Sequence, residues 1–151
     1  MIDIQTKGFR ELESELLQLE KKISKNIVRK GLRKAQNELK SVIKSYLSAI
    51  PSRGSGMTKK IASALQLKVG KTNKGSYAIN VRIRPTPEFV HTSKEGRRTY
   101  IPSAIEYGHG KSKEQAARPF MRPAGDATEI KRMKILSEEI AIEIGKIWGK
   151  K

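Results

Sequence analysis

ARPFMRPA, Ala117 to Ala124, sets two prolines, two arginines, a phenylalanine and a methionine into eight positions. Proline holds φ near −65°, so Pro119 and Pro123 pre-set the chain path into a following helix. Phe120 between them is an anchor, either under that turn or in the pocket of a neighbouring subunit. Its burial is worth roughly 1.5–3 kcal/mol. Arg118 and Arg122 are separated by proline, so no shared helical face is assumed for them. They can bridge to Glu106, to exposed carbonyls, or to an acidic patch on the next subunit. The segment therefore reads as an intrachain clasp or as a joint between copies.

Downstream of it, Ile130, Met133, Leu136, Ile140, Ile144 and Ile147 recur at helical spacing, with Trp148 beside them. They predict the buried stripe of a closing helix that begins near Pro123 or a few residues later. Upstream, Leu65, Leu67 and Val69 alternate with polar residues, as do Tyr77, Ile79, Val81 and Ile83. Two half-buried strands follow from that alternation, joined by a hairpin turn in GKTNKGS. The stretch RPTPEFVHTSKEGRR is loop-like, and residues 85–98 are expected to form a mobile basic loop. Thr99 to Tyr107 suits a further strand or an extended approach, restricted by Pro102 to an edge or bulge.

The N-terminal part, from about Phe9 to residue 48, reads as one long protruding helix. Phe9, Leu12, Leu16, Leu19 and Ile23 set one stripe, and Val28, Leu32, Ala35, Leu39, Val42 and Tyr46 resume it after a change of phase. Gly31 near that change predicts a bend or a break. Pro51 and the loop PSRGSG end the helix, and Met57 to Ala64 forms a short helical turn. The expected fold is α+β, one domain over residues 1–151. It comprises a long N-terminal helix, a small antiparallel sheet, and a C-terminal helix packed on the sheet.

Bulk properties narrow the chemistry. Thirty-two Lys and Arg against fifteen Asp and Glu give a net charge of +17. Such a surface attracts nucleic acid, anionic membrane or an acidic protein partner. Cysteine is absent, which removes thiolate nucleophiles and cysteine metal sites. The opening MIDIQTKGFRELE lacks a signal-like apolar core, no apolar run is long enough to span a bilayer, and GKIWGKK carries no lipidation motif. A soluble chain without membrane contact is expected.

His91 and His109 are the only histidines and show no metal-ligand spacing. No serine lies in a nucleophile elbow, and Glu106 has no second carboxylate placed to work with it. SRGSG lacks the context of a phosphate loop, so a flexible helix-ending loop is its simpler reading. No enzyme, metal or cofactor is expected. Glu106 in IPSAIEYGHG has a structural role instead: it accepts turn amides or pairs with Arg118 or Arg122. Arg82, Arg84, Lys94, Arg97 and Arg98 would form a basic patch if the second and third strands are adjacent. That patch would face duplex phosphates without sequence specificity, or an acidic partner.

The order of these features resembles the tail-completion proteins of long-tailed bacteriophages, found where head meets tail. The matching residues are Pro51, Ser55, Gly56 and Met57, then Glu106, Tyr107 and Gly108, then Ala117 through Ala124. His109 stands where that family has a small hydroxyl residue, and Phe89 to Arg98 makes a longer, more basic excursion. The resemblance implies a structural, non-enzymatic virion component of the neck, assembled in the host bacterial cytoplasm. It implies a homo-oligomeric ring, a hexamer first, docked on head-closure and tail proteins and open to non-specific contact with DNA in the channel. Glu106, Tyr107, Gly108, Arg118, Pro119, Phe120, Arg122 and Pro123 are the expected clasp or interface residues. A basic DNA-binding accessory protein is the alternative.

Overall fold

The computed structural model describes residues 21–51, 56–71, 77–108 and 116–149. The expected apolar stripe from Phe9 to Leu19, the hairpin turn after Lys71, and His109 lie outside the described residues. Helix α1 spans Lys21–Ala49 and α2 spans Met57–Ala64. Strands β1 (Leu65–Lys71) and β2 (Tyr77–Ile83) form one sheet. A 3-10 turn (Pro87–Phe89) leads into β3 (Val90–Thr92) and β4 (Arg98–Tyr100), which form a second sheet. Helices α3 (Ile101–Tyr107) and α4 (Met121–Trp148) complete an α+β fold. The chain divides into two compact units, one of Met1–Glu38, Leu67–Asn80 and Glu129–Lys151, the other of Leu39–Gln66 and Val81–Thr128.

In the first unit, α1 and α4 run antiparallel. Ile27 of α1 is buried with Ile140 and Ile144 of α4, with Leu136 and Ile147 packed against them. The helix runs through Gly31 without the break into two helices that was one of the expectations there. A Cβ there would stand 2.9 Å from Leu136 Cδ1 and 3.4 Å from the Leu136 carbonyl oxygen. The glycine thus serves close helix approach rather than flexibility. Along this seam Lys30 Nζ meets Glu143 at 2.5 Å, Lys34 meets Glu139 at 2.5 Å, and Lys131 meets Glu38 at 2.5 Å. Lys146 and Lys30 hold the Glu143 carboxyl down to about 2. These opposite-charge pairs join the two helices in their antiparallel register.

The predicted α4 stripe is partly displaced. Ile140 and Ile144 are buried, but Ile130 is 75% and Met133 49% exposed. The expectation that the closing helix packs on the sheet holds only at its start. Phe120, Met121 and Ala124 share a core with Leu65 of β1 and Val81 and Ile83 of β2, whereas the later turns pack along α1. The physical reason lies in α1, whose small Gly31 and flanking lysines offer the long helix a complementary face.

The second unit is built on that core. Ile43 and Leu47 of α1, Ile61 and Ala64 of α2, Leu65, Phe89, Phe120 and Ala124 are buried together. On α1 the buried face is Ile27, Ala35, Ile43 and Leu47. Of the predicted stripe Ala35 is buried, whereas Val28, Leu32, Leu39, Val42 and Tyr46 are half-buried, because the helix turns Ile27, Ile43 and Leu47 inward. The stretch read as a loop carries elements of its own. Phe89 is fully buried, and β3 pairs antiparallel with β4, Val90 opposite Tyr100 and Thr92 opposite Arg98. An apolar anchor at Phe89 explains why so polar a segment is held down. After Tyr100 the chain turns into α3 instead of continuing as a strand. Pro102 sits in the first turn of that helix, where a missing N–H costs nothing.

Gly31→Leu should destabilise the chain by about 1–3 kcal/mol through overpacking against Leu136, measured by urea unfolding. A variant as stable as the natural protein would show that α1 and α4 do not meet closely at this position.

Candidate functional site: the capped turn before the last helix

Helix α4 begins at Met121, two residues before Pro123. The first four N–H groups of an α-helix, from the N-cap onward, have no partner within it. Here those positions are Phe120, Met121, Arg122 and Pro123. The Glu106 carboxylate accepts three of the four. Phe120 N–H donates to Oε2 at 2.7 Å, Met121 N–H to Oε2 at 3.0 Å, and Arg122 N–H to Oε1 at 3.1 Å. The fourth donor does not exist, because Pro123 has none. One acidic side chain and one proline therefore complete the helix start.

The delivery of Glu106 is local. Pro102 and Glu106 are four apart on α3, both buried, so one face of that short helix points inward. Gly108 ends α3 with φ at 80°, a backbone angle that glycine adopts without strain. Arg118 N–H then donates to the Ile105 carbonyl at 2.8 Å and ties the returning chain beside α3. Burial pushes the Glu106 carboxyl up, but the amides of Met121, Phe120 and Arg122, with the Arg122 charge, outweigh it. The net result lies below the ordinary carboxylate value. A negative charge at a helix N-terminus is stabilised further by the helix dipole.

Of the two roles open to Glu106, acceptance of turn amides is the one observed. Arg118 and Arg122 do not form an ion pair with it. Arg122 instead places its guanidinium 5.7 Å over the Tyr107 ring, and Tyr107 is 67% exposed. Phe120 is fully buried within the core of its own unit, which settles its place under the turn rather than in a neighbouring subunit. Arg118 and Pro119 are exposed, and Pro123 is half-buried. A cleft of about 410 Å³ opens beside this turn, walled mainly by Ile83, Tyr100, Pro102, Tyr107, Phe120 and Met121. The sequence offered no signal for this cleft, since its walls come from β2, β4, α3 and α4.

The basic residues are arranged differently from the expected patch. Arg82 and Arg84 belong to the β2 end of the chain and Lys94, Arg97 and Arg98 to the β3–β4 hairpin, and the two strand pairs are separate sheets. The strand adjacency that would have joined them is not formed. Arg82 Nε lies 3.0 Å from the Gln66 side-chain amide, and Arg97 Nε lies 3.8 Å from Glu95. His91 is exposed on β3, opposite Thr99. Among the described residues no group of three or more His, Asp or Glu is placed to hold a metal ion. No helix among them is long and apolar enough to cross a membrane.

Comparison with protein-family models, curated proteins and solved structures gives no match. The capped turn is defined by its own geometry. It has an acid with its lone pairs committed to amides, an apolar cleft, and two outward arginines.

Glu106→Ala should cost roughly 1.5–3 kcal/mol, since it strips the acceptor from three amides at a buried helix start. Glu106→Gln keeps an acceptor but loses the charge, so the pH dependence should change with it. The folded-state carboxyl lies below its ordinary 4.5, so its contribution is complete above that value and lost as pH falls through the depressed one. The stability gap between the natural chain and Glu106→Gln should shrink on acidification from pH 6 to 3 in urea unfolding. A constant gap would remove the charged cap.

Proposed function

We propose that this chain is a structural, non-enzymatic virion protein of the phage neck that completes the tail and joins it to the head through a ring of copies. The observation that carries this reading is the Glu106 carboxylate accepting the amides of Phe120, Met121 and Arg122. Glu106-Tyr107-Gly108 and Ala117–Ala124 are two of the three sequence elements on which the resemblance to tail-completion proteins rests. They form one device, in which glycine ends a helix, the glutamate crosses over, and proline with phenylalanine seats the next helix. Support comes also from what the device leaves outward. Tyr107 and Arg122 line a largely apolar cleft, and Arg118 is exposed two residues before its Phe120 wall, a surface suited to protein contact. The net charge of +17 suits a ring around a DNA-filled channel.

Arg118→Glu tests the joining role with little risk to folding, because only its backbone N–H takes part in the clasp. It should leave thermal stability within about 0.5 kcal/mol and reduce head-to-tail joining at least tenfold in particles assembled with the variant. Phe120→Ala is the structural counterpart and should lose roughly 3–5 kcal/mol of stability. Normal joining with Arg118→Glu at natural protein levels would overturn the assignment of this surface.

A second reading, phosphate contact with duplex DNA, is favoured by one observation. Arg84, Lys94 and Arg98 are exposed and carry no ion pair among the described residues. Duplex binding would then weaken steeply with salt. Neutralising these three residues would flatten the log–log salt dependence by about 0.9 per lost phosphate contact. No binding at low salt would remove this reading.

A further inference from the structure

The cleft beside the capped turn is lined by apolar Ile83, Tyr100 and Met121, with Arg122 as its one cation. Arg122 lies over the Tyr107 ring. Arg118, two residues before Phe120, is exposed and has no carboxylate partner among the described residues. The one carboxylate in the cleft wall, Glu106, is already taken up by three amides. Apolar walls beside unneutralised arginine match an apolar side chain flanked by carboxylates.

The chain contains a segment of that chemistry. FRELESELLQLE, Phe9 to Glu20, carries four glutamates against one arginine, within a chain of net charge +17. Phe9, Leu12, Leu16 and Leu19 recur through it at helical spacing, so apolar and acidic groups alternate around one stretch. A closed ring needs a heterologous contact, in which one patch meets a different patch on the next copy. An acidic apolar segment and a cationic apolar cleft on the same chain are such a pair. The exposed Ile130 and Met133 on α4 compete less well. Lys131 and Lys134 beside them are already paired with Glu38 and Glu138.

The geometry points to a contact between copies in which the acidic segment Phe9–Glu20 of one chain seats an apolar side chain in the cleft of the next. Its glutamates then face Arg118 and Arg122. This contact deepens the reading of the chain as a ring-forming neck protein and rests on it.

The absence of cysteine makes the contact directly testable. Full-length Leu16→Cys and Ser103→Cys chains, differing in mass by a tag, are mixed and oxidised with diamide. Each chain has a single thiol, so any mixed disulfide joins two copies. The Leu16–Ser103 heterodimer should exceed by at least tenfold the product of Leu16→Cys with Ser137→Cys, a control on α4. Adding Arg118→Glu to the Ser103→Cys chain should lower its yield several-fold, and adding Glu13→Arg and Glu15→Arg to the partner should restore it. A heterodimer no more abundant than the control, or one indifferent to Arg118→Glu, overturns the contact. Rings that form without this adduct refute the contact and leave the neck reading standing. An adduct in a chain that never joins heads to tails does the reverse.

Discussion

The carboxylate of Glu106 governs how the chain enters its last helix. A helix start presents four unsatisfied amides, and burying them beside Phe120 without acceptors would oppose folding. Glu106 supplies the acceptor from α3, fourteen residues before Phe120, and Pro123 removes the remaining donor. Once that start is satisfied, Phe120 and Ala124 can sit fully buried with Ile43, Leu47, Ile61 and Phe89. The polar bonding and the apolar packing are therefore one event, since neither is favourable without the other.

The same constraint sorts the surrounding residues into inward and outward sets. Glu106, Pro102 and Phe120 face the core, and Tyr107, Arg118 and Arg122 remain exposed. The opposite end of α4 is held by different physics. There the closeness of Gly31 to Leu136 and a ladder of lysine–glutamate pairs align it with α1. Exposed pairs of this kind add little stability individually, but their alternating register selects one alignment of two long helices.

Much of the fold was legible because its signals are local. Alternation in Leu65–Val69 and Tyr77–Ile83 marks strands, and the run after Pro123 marks a helix, whatever lies nearby. The errors arose where a distant partner decides. Ile130 and Met133 fit a helical stripe, but the face that α1 accepts excludes them. Thr99 to Tyr107 has strand-like composition, yet Pro102 starts a helix, and burial of Phe89 turns a loop-like stretch into a turn and hairpin. Gly31 reads as a weak point in sequence and is a point of close packing in space.

By itself the sequence determined the class of fold, the absence of cysteine chemistry, the positive charge, and the importance of Glu106 and the Ala117–Ala124 segment. Each depends on residue identity or short-range spacing. Only the tertiary structure decided which donors Glu106 serves, that Phe120 lies in its own core, and that an apolar cleft opens beside Arg122. Those facts depend on bringing α3, β2, β4 and α4 together, and the spacing along one chain does not encode that meeting in any local pattern.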